Sequence, residues 1–269
     1  LIKGNITSIP LDILTSLLSP KGKRARLSIL IYHRVLTEPD LLLKIKHDHT
    51  SFDAQINFLS QHFNILPLYE AVQRLHNGTL PARAACITFD DGYADNAEVA
   101  LPILQKYSAT ATFFIATNFI NGGIMWNDRV IESIRQAKGE TLNLEPIGQG
   151  THAIKTTSQR HNLLFNLIKA LKHLPFDTRQ LQLQELQKIV QEKLPDDLMM
   201  TSEQIRKLHQ AGMEIGAHTV EHPILTRVEN DKAYSEMANS KATLENIIDD
   251  SVRLFAYPNG VPGLDYSSD

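Results

Sequence analysis

The chain has 269 residues, of which 42% are hydrophobic and 21% are charged, as in a globular protein with a substantial core. Its formal net charge of −3 excludes a strong positive field of the kind that attracts nucleic acid or an anionic membrane surface. The single cysteine, Cys86, excludes an intramolecular disulfide and is predicted to be a small core residue. No apolar run approaches the roughly 20 residues of a membrane-spanning helix, and the oligomeric state is left open.

Residues 1–26 are predicted to be an N-terminal extension that contains an amphipathic helix over 9–18. Lys21, Lys23 and Arg24 follow the apolar stretch of this helix, whereas a secretory signal carries its charges before that stretch. This order slightly favours a cytoplasmic location over a periplasmic or membrane-associated one.

Residues 27–269 are predicted to form one domain of alternating strands and helices. Short apolar runs predict strands at 27–33, 84–89, 109–116, 213–217 and 253–257, the first three of them buried. Helical spacing predicts five helices. They cover 52–63 behind Ser51 as N-cap, 69–76, 96–107 with Pro102 as a kink or a boundary, 201–212 behind a capping box, and 230–248. This alternation indicates βαβ units and a parallel sheet.

The stretch 126–200 differs from the rest, because its patterns, at 160–172 and 178–193, are helical and no strand pair is evident. It is predicted to be a helical insertion that serves as a lid or an interface. Trp126, Asn127 and Asp128 at its start suggest either a platform on which a sugar ring stacks or an ordinary helix start.

Polar residues follow the predicted strands at their carboxyl ends, where parallel α/β proteins place their ligand sites. They are His33, Asp90, Asp91, His218 and Asn259. Residues distant in sequence are therefore expected to converge on one cavity. His47, Asp48 and His49 resemble a metal-binding group but are predicted to form a solvated loop.

His218 and His222 are four residues apart, a spacing that places two imidazoles on one side of a helical turn. Two imidazoles and one carboxylate form a common ligand set for a divalent metal, and Asp91 is the natural third ligand. The alternative is that both histidines are unrelated polar residues of a loop.

Asp90 and Asp91 end an apolar strand as adjacent carboxylates, which repel each other unless a cation or a shared proton compensates. Successive residues of an extended segment point to opposite sides, so one carboxylate is expected to bind the metal and the other to face activated water. The alternative is a helix N-cap with an acidic first turn.

Three motifs in this order resemble the polysaccharide deacetylase family with the NodB homology domain, also called carbohydrate esterase family 4. They are Thr88-Phe89-Asp90-Asp91-Gly92, His218-Thr219-x-x-His222 and Phe255-Ala256-Tyr257-Pro258-Asn259-Gly260. The resemblance runs from about residue 27 to residue 260, outside the insertion. It implies a distorted (β/α) barrel of about seven parallel strands.

The resemblance also implies a role for each matching position. Asp90 is expected to be the general base, and Asp91, His218 and His222 are expected to hold a divalent metal, zinc first and cobalt, nickel or manganese as alternatives. A backbone N–H of the third motif, here at Asn259, is expected to help bind the oxyanion.

Two departures from the family pattern affect this assignment. Ala256 stands where much of the family has an arginine that steadies the base, and Arg253 is the nearby alternative. The late histidine motif that supplies the general acid is not found after Gly260. A subset that resembles poly-N-acetylglucosamine deacetylases carries this histidine early, in a Tyr-His segment, so His33 is the expected acid, with an ordinary strand-end histidine as the alternative.

The short segment after Gly260 cannot complete a barrel, so the domain is expected to be truncated at its C-terminus. The predicted function is a metal-dependent hydrolase that removes N-acetyl groups from an amino-sugar polysaccharide or oligosaccharide, an acetylated carbohydrate. The same site could instead deacylate a small amide or an O-acetyl ester, and a third alternative is a non-catalytic carbohydrate-binding barrel.

Overall fold

The computed structural model describes residues 18–45 and 47–267. Most of the predicted N-terminal helix over 9–18 therefore lies outside the described residues. Among the helices that are described, none is long and apolar enough to cross a membrane.

The main sheet is built from parallel strands, as the sequence predicts. The strands of the described residues are β1 (Leu27–Tyr32), β2 (Asn64–Ile65), β3 (Ala84–Phe89), β4 (Thr112–Ile115), β5 (Thr141–Asn143), β6 (Thr151–Ala153) and β7 (Glu214–Ala217). The sheet order is β1-β3-β4-β7, with β2 beside the start of β3, and all of these pairings are parallel. The mainly parallel α/β fold is thereby confirmed.

The predicted last strand over 253–257 is reduced to a single parallel bridge between Phe255 and Ala217. Within the described part of the chain, five strands form the main sheet, and β1 and the Phe255 segment lie at its two edges. The closed barrel of about seven strands stays a prediction.

Strand β1 is parallel to β3 as expected, but the prediction that it is a buried strand is wrong, because only Tyr32 of its six residues is buried. Ile29 is 48% exposed and Ile31 is 63% exposed. Apolar composition predicts a buried strand only where neighbours cover both sides, and β1 pairs with β3 alone among the described strands. Strand β3 has partners on both sides, and its six residues are all buried.

The described helices connect the strands of the main sheet, and four of them lie between β4 and β7. They are α1 (His49–His62), α2 (Leu68–His76), α3 (Leu101–Lys106), α4 (Trp126–Gln136), α5 (Thr157–Lys172), α6 (Phe176–Val190), α7 (Ser202–Gln210) and α8 (Asn230–Ile248). Thr201 opens α7 in a capping box with Gln204, and α8 has the predicted bounds.

The N-cap predicted for α1 needs correction. The cap is Asp48, whose carboxylate accepts the backbone N–H of Ser51 at 2.8 Å, so Ser51 is the third helical residue of a capping box. The predicted helix over 96–107 is helical, with a π-helical turn at Asn96–Ala100 followed by α3, and the boundary between the two lies next to Pro102, as one of the two alternatives expected.

The stretch 126–200 forms α4, α5 and α6, which pack around an apolar cluster of their own that includes Val130, Leu164 and Leu183. The prediction that it lacks a strand pair is wrong, because β5 and β6 form an antiparallel hairpin. Three-residue strands are too short to show a period of two in the sequence. The boundaries of the insertion and of the N-terminal extension stay predictions.

Candidate active site

The carboxyl ends of β1, β3 and β7 lie at the same edge of the parallel sheet, and the polar residues of the sequence motifs follow them there. A cavity of about 390 Å³ opens at this edge. All six residues predicted for the site line it: His33, Asp90, Asp91, His218, His222 and Asn259. The structure therefore brings together residues that are more than 200 positions apart in the chain.

Asp91, His218 and His222 form a compact triangle of ligand atoms. The two imidazole Nε2 atoms are 3.1 Å apart, and the Asp91 Oδ1 atom lies 3.5 Å from that of His218 and 3.2 Å from that of His222. Ligands at 2.0–2.1 Å from a tetrahedral zinc ion are about 3.3–3.4 Å apart, so this spacing fits one face of a zinc tetrahedron.

The protonation pattern of the triangle favours a cation rather than a hydrogen-bonded cluster. The Nδ1 atom of His218 lies 2.9 Å from the Ala256 carbonyl, which can only accept, so Nδ1 donates and the neutral ring presents an unprotonated Nε2 to the triangle. Oδ1 of Asp91 is buried without a well-directed hydrogen bond. A buried carboxylate oxygen of Asp91 and the Nε2 lone pair of His218, which face the same point, fit a metal ion.

The charges of the triangle compensate one another in the metal-free protein. Burial favours the neutral form of Asp91, but the imidazoles of His218 and His222 hold the pKa of its carboxyl well below the usual range. Burial likewise disfavours a charged His218, but the Asp91 carboxylate outweighs it and raises the pKa of the imidazole. Asp91 is therefore an anionic ligand at neutral pH.

The backbone at the triangle is held in conformations that side chains rarely adopt. Asp91, Thr219 and His222 have φ angles of 77°, 67° and 54°. Gly92 has a φ of 93°, and a Cβ there would lie 2.8 Å from Ile115 Cγ2, so the glycine of the motif is required by the packing of the strand end. Such strain persists where surrounding structure enforces it, as at many functional sites.

Asp90 lies beside the triangle and differs electrostatically from Asp91. Burial raises the pKa of its carboxyl, the imidazoles of His218 and His33 oppose this rise, and the Asp91 carboxylate adds to it. A carboxylate with a raised pKa is a stronger base than an ordinary aspartate. This environment fits the base role that was predicted for Asp90.

Arg253 does not replace the arginine that is missing at Ala256. Its guanidinium lies over the Tyr69 ring at 5.4 Å, and its Nε donates to Ser251 Oγ. Arg34 is also engaged elsewhere, because its Nε pairs with Asp95 at 2.8 Å. The charges that act most strongly on Asp90 are those of the nearby histidines and of Asp91.

His33 and Asn259 approach the cavity from the two edges of the sheet. His33 directly follows β1, its side chain is exposed, and its carbonyl accepts from Asn96 Nδ2 at 2.9 Å. Asn259 has a φ of 69° in the turn after Pro258. Tyr257, next to this turn, stacks on Tyr266 with 4.0 Å between the ring centroids.

The three residues at the start of α4, Trp126 to Asp128, do not share one environment. Trp126 and Asn127 line the cavity, whereas Asp128 is buried and accepts the Tyr93 hydroxyl at 3.0 Å. The guanidinium of Arg179 lies 4.8 Å from the centroid of the Trp126 ring. Asp128 is therefore not available to a sugar, while Trp126 is.

Other predicted features are resolved as follows. Cys86 is a buried core residue, as predicted, and burial raises the pKa of its thiol to about 12. The histidines that flank Asp48 do not form a metal cluster among the described residues, and Asp48 serves as the helix cap rather than as part of a free loop.

Sequence reasoning missed two charged residues that the structure places around the site. Glu236 lies on the buried stripe of α8, which continues with Ser240 and Leu244. Arg179 lies on the buried stripe of α6, which continues with Leu183 and Leu186. Arg179 is a charge on an otherwise apolar stripe, and this signal could have revealed it, whereas Glu236 shares its stripe with Ser240 and gives no such signal.

A sequence model of the polysaccharide deacetylase family matches residues 77–267, well over half of the chain, and the chain belongs to this family. The matched residues include Asp90, Asp91, His218, His222 and Asn259 but not His33.

Among individual proteins, the chain is 25% identical over 240 residues to YxkH of Bacillus subtilis, which is named for the same family. This match covers 88% of the chain but 58% of YxkH, so the chain spans less than two thirds of that relative's length.

Two solved structures share the fold. The Streptococcus pyogenes deacetylase PplD, solved with acetate, has a TM-score of 0.54 at 22% identity, covering 87% of this chain and 74% of its own. IcaB from Ammonifex degensii has a TM-score of 0.52 at 18% identity, and the match covers 90% of this chain and 76% of the IcaB chain.

Proposed function

We propose that this chain is a metal-dependent hydrolase that removes N-acetyl groups from an amino-sugar polysaccharide or oligosaccharide. The observation that carries the proposal is the triangle of Asp91, His218 and His222 beside the basic carboxylate of Asp90, in one cavity of a polysaccharide deacetylase chain.

Asp91, His218 and His222 would hold the metal. Two imidazoles and one carboxylate at tetrahedral spacing favour zinc, with cobalt, nickel or manganese as alternatives. A bound divalent ion lowers the pKa of water toward about 7 and polarises a carbonyl oxygen.

The chain's own residues would supply the remaining chemistry. Asp90 accepts the proton of the attacking water, because its raised pKa makes it a competent base. His33, which lines the same cavity, protonates the departing amine. The backbone N–H at Asn259 donates to the oxyanion, and the rings of Trp126 and Tyr257 lie where they can contact the sugar.

Acetate release from a panel of acetylated oligosaccharides tests this function, with the protein chelated and then restored with zinc. Activity should disappear on chelation and return with the metal. Release from small amides or O-acetyl esters alone would favour those substrates instead. Oligosaccharide binding without release of acetate from any compound would indicate a non-catalytic barrel.

Asp90→Asn tests the base. The substitution removes the proton acceptor at the same size, so kcat should fall by about 100-fold or more while zinc stoichiometry remains near one. Asp196→Asn, at an exposed side chain that pairs with Lys193, is the matched control and should retain activity. Near-normal kcat in Asp90→Asn would refute the base assignment.

His33→Gln tests the acid. Loss of a proton donor should lower kcat on the amide by about 100-fold or more but lower it much less on an activated acetyl ester, whose leaving group departs without a proton. Equal losses on both compounds would assign the proton donation to another group.

A further inference from the structure

Arg179 is a buried cation with unfilled hydrogen-bonding capacity. It is only 8% exposed, and its Nε is buried without a partner. Its guanidinium lies over the ring of Trp126, and one terminal nitrogen donates weakly, at 3.3 Å, to the Lys172 carbonyl. Across residues 18–45 and 47–267, no carboxylate forms an ion pair with Arg179.

The charge of Arg179 belongs to the cavity that holds the metal triangle. Arg179, Lys172 and Trp126 all line this cavity, together with Asp90 and Asp91 as its only lining carboxylates among the described residues. A divalent ion would neutralise those two charges. Lys172 also forms no ion pair within the described part of the chain, so this end of the cavity would carry a net positive charge.

The far side of Arg179 does not supply the missing counter-ion. A smaller cavity of about 180 Å³ shares Trp126 and Arg179 with the first and is lined by Arg129 and Glu221. Arg129 donates to the neutral amides of Gln180 and Gln187, at 3.1 and 3.3 Å. The carboxylate of Glu221 lies outside ion-pair distance of either arginine in the described structure. As the one carboxylate among the residues that line this cavity, it could compensate at most one of the two guanidinium charges.

An uncompensated guanidinium is costly to bury, and burial lowers the pKa of Arg179 accordingly. A planar guanidinium binds a carboxylate or a phosphate through paired hydrogen bonds. A ligand with such a group would satisfy both the charge and the free Nε–H. Neutral sugar hydroxyls would satisfy the hydrogen bond but not the charge.

We propose that Arg179 and Lys172 form an anion-binding subsite of the active-site cavity, so that the substrate is an acetylated amino sugar within a negatively charged saccharide. This inference rests on the proposed function and specifies its substrate class. The shared chemistry is an anionic oxygen group, either the carboxylate of an acidic sugar or a phosphate.

The test compares kcat/KM for acetate release from three tetrasaccharides. One is the neutral N-acetylglucosamine tetramer, one alternates N-acetylglucosamine with glucuronate, and one carries 6-phosphate groups on N-acetylglucosamine. The zinc-loaded protein should prefer at least one anionic compound, and the preferred arm identifies carboxylate or phosphate. Equal use of all three, or preference for the neutral tetramer, would overturn the proposal.

Arg179→Gln should reduce the preference, the ratio of the anionic to the neutral kcat/KM, by about 10- to 100-fold, since a charge-assisted hydrogen bond contributes about 1.5–3 kcal/mol. The loss should appear mainly in KM. Arg179→Lys should recover part of it, because the charge is kept and the fork is lost. Lys188→Gln on the outer side of α6 is the matched control for charge and should leave the ratio unchanged.

A purely structural Arg179, one that only fixes α6 to Trp126, would make Arg179→Gln lower the rates on all three compounds equally and lower the melting temperature. That result would overturn the subsite. Calorimetric binding of each tetrasaccharide to Asp90→Asn, with and without Arg179→Gln, tests it without turnover. Tighter binding of an anionic compound that weakens with salt and with the second substitution would support it even if no compound released acetate, an outcome that would refute the proposed function alone.

Discussion

At the scale of single residues, Asp90 and Asp91 are neighbours in sequence with opposite electrostatic environments. The backbone of Asp91 has a positive φ, and its carboxylate faces the imidazoles of His218 and His222. These imidazoles lower the pKa of the carboxyl despite its burial. Asp90 is partly buried, and burial raises the pKa of its carboxyl more than the nearby imidazoles lower it. Two carboxylates with diverging pKa values are suited to different tasks, one as ligand and one as base.

His218→Ala should abolish metal binding. The substitution removes one of three ligand atoms that lie within 3.5 Å of one another, so zinc measured by mass spectrometry should fall from about one per chain to near zero. His209→Ala, a histidine of α7 that pairs with Asp250, should keep its zinc. Undiminished zinc in His218→Ala would contradict the ligand assignment.

Asp128 should make the stability of the metal-free protein depend on pH. Burial raises the pKa of its carboxyl to about 7, an effect that Arg34 and Tyr93 oppose and that Asp91 and Glu132 reinforce. The folded state then retains a proton that the unfolded state loses above about pH 4. This contribution to stability is complete at lower pH and is lost as the pH rises to about 7.

Asp128→Asn should flatten that dependence, because an amide does not titrate but still accepts from the Tyr93 hydroxyl. Between pH 4 and pH 8 the change in the free energy of unfolding should differ from that of the original protein by up to about 4 kcal/mol. Denaturant melts of chelated protein measure it, with Asp196→Asn as the exposed control. Parallel pH curves for the two proteins would refute the prediction.

At the scale of elements, one partly buried and one fully buried carboxylate connect helices to strand ends that are remote in sequence. Glu214 of β7 accepts the first backbone N–H of α2, from Leu68, at 2.6 Å and the Thr112 hydroxyl at 2.7 Å. Glu236 of α8 accepts the N–H groups of Val220 and Glu221, both at 2.8 Å. Glu236 thereby fixes the loop between the two histidine ligands.

Glu236→Gln should weaken metal binding without touching a ligand. Both loop N–H groups donate to Oε2, so the amide oxygen can still accept them, but the substitution removes the negative charge that strengthens these bonds and the ion pair between Oε1 and Lys232. We expect zinc affinity to fall by about tenfold, as for other residues that orient ligands, and stability to fall by about 1–3 kcal/mol. A competitive chelator titration measures the affinity, with exposed Glu229→Gln as the control. Unchanged affinity would show that the loop holds its shape independently of Glu236.

At the scale of the whole molecule, the site joins parts of the fold that are otherwise weakly connected. The ligands come from the ends of β3 and β7, which are separated by β4 in the sheet, and the cavity wall comes from α4, α5 and α6 with their own apolar cluster. A bound metal would therefore act as a cross-link between two strands.

Removing the metal should lower the melting temperature of the protein. A ligand present at 100 times its dissociation constant adds about 2.7 kcal/mol to the free energy of unfolding, which corresponds to about 5–10 °C for a domain of this size. Calorimetry with chelator and then with excess zinc measures the shift. His218→Ala should be insensitive to chelator, and a melting temperature that chelation leaves unchanged in the original protein would argue against a resident metal.

Local patterns in the sequence were sufficient for the alternation of strands and helices and for all six residues at the cavity. Apolar runs, caps and strand-end polar residues such as Asp90 and His218 are local signals, and parallel pairing brings strand ends together without further information. The resemblance of the three motifs to one family specified the chemistry, and the family itself is confirmed.

Other features depend on contacts between distant residues and could not be predicted from local patterns. The exposure of Ile31 follows from the strands that lie beside β1, and the short hairpin of β5 and β6 has too few residues for a periodic signal. The placement of Arg179 against Trp126, and of Glu236 under the histidine loop, results from helix packing. A charge on an apolar stripe is visible in the sequence, but its partner, or the lack of one, is set by which elements the folded chain brings to it.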